Sequence, residues 1–437
     1  MWQFRHKLFQ KQQFRTVALD GRIRVDNVAL RSALVPTRVA DLCAVREGAD
    51  RGLNLRSNSL EGEVMKKVLL ATTALVSAGV LAGADAVAQD KPISLVLGGY
   101  YRAAFGVVSD DDGAGERGAG FRNHQVTQDV EVHFKGETTV RGITVGVTIE
   151  LEAQEQAGDQ VDETWAYFKG RWGEFRFGDE DSVHRLAALS APNASDNFGV
   201  NSPFFVFTNN GSTVAGSTGP TTNTTSADLA NDATKLMYFT PRISGFQAAV
   251  SYAPDGTQDV RGMGQGGRGK TAGIGQIFSI QGNYSGKLGA VELNAMIGYA
   301  GATNETPGGT NDDPSTVLAG LTIGYMGWQF GGSYQGIDDR GGIRGRESHV
   351  FDIGLAYMPG PWGAGISWSR GKYDVANAAG TAVVEDKLDH FSLGARWVLG
   401  PGIRLNAALQ YEKYDPGITG NADYDSKSFL IGTTIIF

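Results

Sequence analysis

Polarity that alternates residue by residue, over runs too long for an ordinary soluble strand, constrains this chain more than any other feature. In QVTQDVEVHFKGETTV, Val126, Val130, Val132, Phe134 and Val140 share one parity; Gln125, Thr127, Asp129, Glu131, His133, Lys135 and Glu137 share the other. A period of two marks a strand with two unlike faces. The first run, ISLVLGGYYRAAFGVV, sets Ile93, Leu95, Leu97, Tyr101, Phe105 and Val107 against Ser94, Tyr100 and Arg102. The last, SFLIGTTIIF, carries Phe429, Ile431, Thr433, Ile435 and Phe437 on one parity. Many runs extend for about 10–16 residues, against ~5–6 for the usual strand.

Short turns and long polar loops separate the runs alternately. The short ones fall at Arg141-Gly142, GRWG (170–173), PRISG (241–245), SGKLG (285–289), Met326-Gly327, PGPWG (359–363) and GPG (400–402). Seven turns join fourteen strands, and the opening and closing runs bring the number to about sixteen. Tyr and Trp residues gather near the run ends, where amphipathic rings suit a membrane interface. A soluble sandwich would need strands about half this long. Lipid offers no water to unpaired backbone groups, so strands cross it only as a closed barrel. The expected fold is therefore all-β, a transmembrane antiparallel barrel in which the last strand pairs with the first.

The 41% hydrophobic content and 61 glycines of the 437 residues hide this, because the apolar residues are spread over alternate positions. One stretch approaches helical membrane length: MKKVLLATTALVSAGVLAGADAVAQ, from Met65. Lys66 and Lys67, an apolar core and Ala86-Val87-Ala88 read as a signal peptide over 65–88; a membrane anchor is the rival reading. Residues 1–64 are Arg-rich, aperiodic and hold the single cysteine, Cys43, so translation is expected to start at Met65, with a real extension as the alternative. Residues 1–88 carry 13 of the 39 basic and 8 of the 47 acidic side chains, which leaves residues 89–437 at a net charge of −13. An acidic, cysteine-free exported chain fits neither nucleic-acid binding nor a disulfide scaffold.

The order signal peptide, LVLGGYYRAAFG as first strand, ETWAYFKGRWGEFRFGDED leading through a short turn into the longest loop, and a terminal Phe resembles the general porins of Gram-negative bacteria, of alphaproteobacterial type. The resemblance covers residues 89–437. It implies a passive outer-membrane channel for ions and small hydrophilic solutes, a homotrimer of sixteen-stranded barrels, and a third loop, here 180–235, folded into the pore. Outer-membrane lipid and lipopolysaccharide are the implied surroundings. It also implies that Phe437, Ile435, Ile431 and Phe429 form the signal read by the barrel-assembly machinery.

A pore discriminates by its width and by the field of its lining. Glu180, Asp181, Asp196, Asp228 and Asp232 are the acidic candidates on the loop. On the wall, inward parity selects Arg102, Glu131, His133, Lys135, Glu150, Glu152, Arg176, Arg396 and Arg404, with Arg102 and His133 near mid-strand. Each has a plainer reading as lumen hydration. The acidic excess points to weak cation preference. No cofactor is implied, although Asp110, Asp111 and Asp112 could gather a calcium ion in the first external loop. GQGGRGKT (264–271) matches a phosphate-binding pattern, yet an alternating strand follows where a helix is required, so no nucleotide is expected. The scattered histidines 124, 133, 184, 349 and 390 show no nucleophile signature, which disfavours a barrel hydrolase. A substrate-selective channel stays open through Phe204, Phe205 and Phe207. The second half of the long loop is polar and of low complexity, either slack or a further fold over the mouth.

Overall fold

The alternating runs become strands, and the parity of each decides which face meets lipid. The computed structural model describes residues 92–111, 121–154, 160–201, 223–257, 273–306, 311–376, 383–417 and 423–437. The expected extension, the signal peptide, Asp112, Phe204, Phe205, Phe207 and the 264–271 run lie outside the described residues.

Sixteen strands occur among the described residues. They are β1 (Ser94–Asp110), β2 (His124–Val140), β3 (Ile143–Glu152), β4 (Val161–Gly170), β5 (Gly173–Asp179), β6 (Thr234–Phe239), β7 (Phe246–Asp255) and β8 (Ile274–Leu288). The second half comprises β9 (Val291–Asn304), β10 (Ser315–Tyr325), β11 (Trp328–Asp338), β12 (Ser348–Tyr357), β13 (Trp362–Ala376), β14 (Val383–Gly400), β15 (Ile403–Asp415) and β16 (Tyr424–Ile436). Each pairs antiparallel with its sequence neighbours, and β1 pairs with β16, so the sheet closes on itself.

Closure explains the aromatic terminus. Tyr101 faces Ile435, Phe105 faces Ile431 and Val107 faces Phe429 across the seam. Phe437 exchanges both backbone hydrogen bonds with Gly99, at 3.0 and 3.1 Å. The chain end is therefore paired rather than frayed, and no edge is left open.

Burial follows parity. On β15 Leu409 is 55% exposed, between Ala408 and Gln410 at 3% each. Leu97, Phe105, Ile297, Leu393, Trp397 and Ile431 lie on the same exposed outer face. An apolar exterior around a polar interior suits a barrel in lipid and no soluble fold. Rings cluster beside the short turns: Phe175 on Tyr238 (4.8 Å), Phe246 on Tyr284 (4.7 Å) and Trp328 on Tyr357 (4.6 Å). A second chain, Phe351, Trp368, Phe391 and Tyr411, crosses β12 to β15 nearer the long loops. Phe239 departs from this pattern. Its parity turns it inward, where it is buried under the Arg176 guanidinium at 4.7 Å.

The short turns are where the sequence places them. Arg141-Gly142 and Met326-Gly327 both hold paired left-handed residues (φ 50° and 80°, 48° and 86°), the geometry that matches strand twist in a two-residue hairpin. Between β8 and β9 the turn is Gly289-Ala290, because β8 runs on through Ser285–Leu288 of the expected SGKLG turn.

Candidate functional site

The longest connection, between β5 and β6, enters the lumen and follows the wall. Ser182 N–H donates to Asp228 Oδ2 at 2.7 Å, and one helical turn follows, α1 (Val183–Leu186). Val183 fills a pocket among Met237, Phe239 and Ala249. His184 Nδ1 lies 2.8 Å from Ser279 Oγ on β8. Leu189 packs on Met296 of β9 and Leu318 of β10. Ala191 N–H donates to Asp352 Oδ1 on β12 (3.0 Å), and Asn193 Nδ2 donates to Ser367 Oγ on β13 (2.8 Å). Asn197 Nδ2 reaches Thr433 O on β16 (3.3 Å), and Phe198 sits among Ala104, Val108, Ala408 and Leu430. From Val183 to Phe198 the loop thus walks the wall from β7 round to β1.

Such close tracking needs wall positions without bulk. A Cβ on Gly298 would stand 2.7 Å from His184 Cβ, and one on Gly354 only 2.3 Å from the Pro192 carbonyl oxygen. The apolar pegs Val183, Leu189 and Phe198 are each buried, worth about 1.5–3 kcal/mol apiece in a water-filled lumen.

A second leg returns along the same arc. Asn223 accepts from Tyr373 OH (2.9 Å) and donates to Ser369 Oγ (3.0 Å), while Ala227 exchanges two hydrogen bonds with the Gln335 amide. Asp352 ties both legs to the wall, since it accepts from Ala191, Asn201, Thr225 and Ser333.

The five acidic loop candidates take two different settings. Glu180, Asp181, Asp228 and Asp232 are buried at the loop's root. Glu180 lies 3.1 Å from Arg176, Asp181 2.9 Å from Arg185, and Asp232 accepts from Asn231 at 2.9 Å. Asp228 accepts from the Ser182 and Ala230 amides and has the His184 ring 4.0 Å away. Burial opposes the Asp228 charge, but His184, Lys235 and Arg185 around it hold its carboxyl below the ordinary carboxylate range. Burial pushes the His184 imidazole below its usual value against the pull of Asp228. Lys235 completes the root by donating to the Glu180 and Asn231 carbonyls. Asp196 differs: it remains partly open to the lumen, between Arg404 (2.5 Å) and Arg396 (3.9 Å).

Most of the wall candidates gather on β1 to β5, whereas Arg396 on β14 and Arg404 on β15 lie beside the loop at Asp196. Arg102 pairs with Asp129 at 3.0 Å and stacks on the Tyr100 ring at 4.1 Å. His133 Nε2 is 2.7 Å from Glu131 Oε2 and 3.6 Å from Glu150 Oε2. Lys135 lies 3.6 Å from Glu137, toward the short-turn end of the barrel. Arg176 is held by Glu174 and Glu180 and sandwiched by Trp165 (4.4 Å) and Phe239. Asp129, Asp162 and Glu163 join this arc as buried carboxylates, and none of the three was among the candidates read from the sequence. For Asp129 the signal was there, as it shares the inward parity of Glu131 and His133. Asp162 and Glu163 escape a parity reading because the β3–β4 register shifts beside them. Of the first-loop aspartates, Asp111 Oδ2 accepts from Asp425 N–H at 2.8 Å.

A closed sixteen-stranded barrel with a greasy exterior, a charged lumen and a loop folded inside it is a membrane channel of the outer-membrane type. Residues 71–417 match the Gram-negative porin family, and the chain belongs to that family. It is an outer-membrane diffusion channel. The fold is shared with an anion-selective porin from Comamonas acidovorans, at 17% identity and a TM-score of 0.53, over 79% of this chain and 100% of that one. It is likewise shared with the outer-membrane channel DcaP of Acinetobacter baumannii, at 12% identity and a TM-score of 0.54, over 82% of this chain and 100% of the other. No curated protein matches the sequence.

Proposed function

We propose that this porin passes ions and small hydrophilic solutes without turnover chemistry or a resident cofactor, with a weak preference for cations. One observation carries the preference: the wall from β2 to β4 gathers Asp129, Glu131, Glu150, Asp162 and Glu163, five carboxylates of which Arg102 pairs with one and His133 meets two, whereas the loop carboxylates Glu180 and Asp181 sit beside Arg176 and Arg185. Fixed carboxylates beside the path raise the local concentration of cations, and screening over roughly 8 Å keeps the effect modest. Asp196 between Arg396 on β14 and Arg404 on β15 adds opposed charges at a separate part of the wall. The reversal potential of the reconstituted channel in a potassium chloride gradient tests this; a sign reporting anion preference refutes it.

The working unit is proposed to be a homotrimer in lipid and lipopolysaccharide, as the family resemblance implies, with residues 65–88 as signal peptide and 89–437 as the exported channel. Trimers that survive detergent without heating, and mass spectrometry of the mature N-terminus, check these two points. The C-terminal alternation is proposed as the assembly signal, supported by the outward exposure of Phe429, Ile431 and Phe437.

A further inference from the structure

We propose that Glu131, His133 and Glu150 form a lumenal site for a divalent transition-metal ion of the zinc class. The inference stands apart from the proposed cation preference, because it needs only these three side chains and not the net charge of the pore.

The backbone supplies the preorganisation. Glu131 and His133 are two residues apart on β2 and so face the lumen together, and Glu150 on β3 is the direct cross-strand partner of His133. The ligating atoms already converge: His133 Nε2 stands 2.7 Å from Glu131 Oε2 and 3.6 Å from Glu150 Oε2, with all three within 4.8 Å of one another. Ligands about 2.0–2.2 Å from a tetrahedral zinc ion lie roughly 3.3–3.5 Å apart. The present spacings bracket that value, so side-chain adjustments of under an ångström suffice.

The chemistry of the set is selective. One imidazole nitrogen with two carboxylates is a zinc-type set, whereas hard calcium or magnesium prefers oxygen alone. The surroundings orient the ligands in the manner of an outer shell. Tyr100 OH donates to Glu131 Oε1, which leaves Oε2 turned toward His133, and the Tyr100 ring meets the His133 ring edge-on at 6.0 Å. Arg102, stacked on Tyr100 and paired with Asp129, holds that tyrosine in place. A second group of carboxylates, Asp129, Glu131 and Glu152, adjoins the site and shares Glu131. The His133 and Glu150 side chains keep 19% and 12% exposure, so an ion can reach them from the lumen and water can complete its coordination.

Planar-bilayer recording of the intact channel tests the site. Zinc chloride at micromolar concentration is expected to lower conductance, a chelator to restore it, and calcium chloride at the same concentration to leave it unchanged. In His133→Asn and Glu150→Gln channels, the zinc concentration for half-block, read against each variant's own zinc-free conductance, is expected to rise at least about tenfold. Cobalt(II) added to the native protein should give the visible absorption of a four- or five-coordinate site, a reading that does not depend on any variant folding. Absence of zinc block and of cobalt bands overturns the proposal. So does equal block by calcium, which reports charge screening only, or block of both variants at the native concentration.

Discussion

Gly354→Ala tests whether the inturned loop is seated on the wall rather than hung across the lumen. The new Cβ would meet the Pro192 carbonyl oxygen at 2.3 Å, with Pro192 N at 3.1 Å and Ala191 Cβ at 3.2 Å. These atoms are backbone or the first side-chain carbon, so no rotamer change relieves the clash. Ordinary contact needs about 1 Å more. If β12 yields, overpacking costs about 1–3 kcal/mol. If the loop lifts instead, the 3.0 Å hydrogen bond from Ala191 to Asp352 leaves bonding range, and a hydrogen bond to a charged group is worth about 1.5–3 kcal/mol. Both routes weaken seating by a similar amount, and about 1.4 kcal/mol is a tenfold change in population. The barrel itself keeps its strand pairing, so heat-modifiable gel migration should stay native. Single-channel recording should show lower conductance and added open-channel noise as the loop moves toward the axis. Gly282→Ala on β8, where a Cβ meets nothing within 4 Å, is the control. Native conductance and noise in a folded Gly354→Ala channel, or the same change in the control, would refute wall seating.

Asp352→Ala removes the acceptor shared by both legs of the loop, at a cost of at least about 1.5 kcal/mol, so proteolysis within 180–235 should accelerate while the barrel stays resistant. Asp196→Asn releases Arg396 and Arg404 from their carboxylate and should move the reversal potential toward anions; an unchanged potential takes Asp196 out of the conducting path. Acid should loosen the loop root. The folded pKa of His184 lies below its ordinary 6.5, so the unseated loop takes up the proton first, and seating is strongest above that pH and declines below it. Asp228, also lowered, adds stability above the ordinary carboxylate value that is lost as pH falls through its folded value. Channel noise should therefore rise on acidification, less so in His184→Gln, and a rise on alkalinisation instead would contradict the linkage. Deletion of Phe437 removes the backbone pair to Gly99 and should reduce the amount of channel in outer-membrane fractions, and native levels would argue against a terminal signal.

The barrel was legible because its code is local. Alternation in β2 states which side chains face lipid, Arg141-Gly142 states where the chain reverses, and these repeat until closure is the only arrangement without an edge. Inward parity likewise identified Arg102, Glu131, His133 and Glu150 without any knowledge of contacts. The path of the long loop was only faintly written. Inward positions on β8 to β14 are small, such as Ser279, Gly298, Gly320, Gly354 and Ser392, while those on β1 to β5 are bulky, such as Tyr100, His133, Trp165 and Arg176. That asymmetry marks a wall built to receive a segment, but it becomes visible only once strand order and facing are known.

What the sequence determined by itself was therefore everything set by neighbours along the chain: strands, turns, the lipid face and the closing seam. Only the tertiary structure decided which charges meet. Asp196 joins Arg404 and Asp352 gathers both loop legs across separations of a hundred residues or more, and the cations that Glu180 and Asp228 meet at the loop's root depend on how the loop packs. Charge pairing is a matter of ångströms in three dimensions, and no local period encodes it.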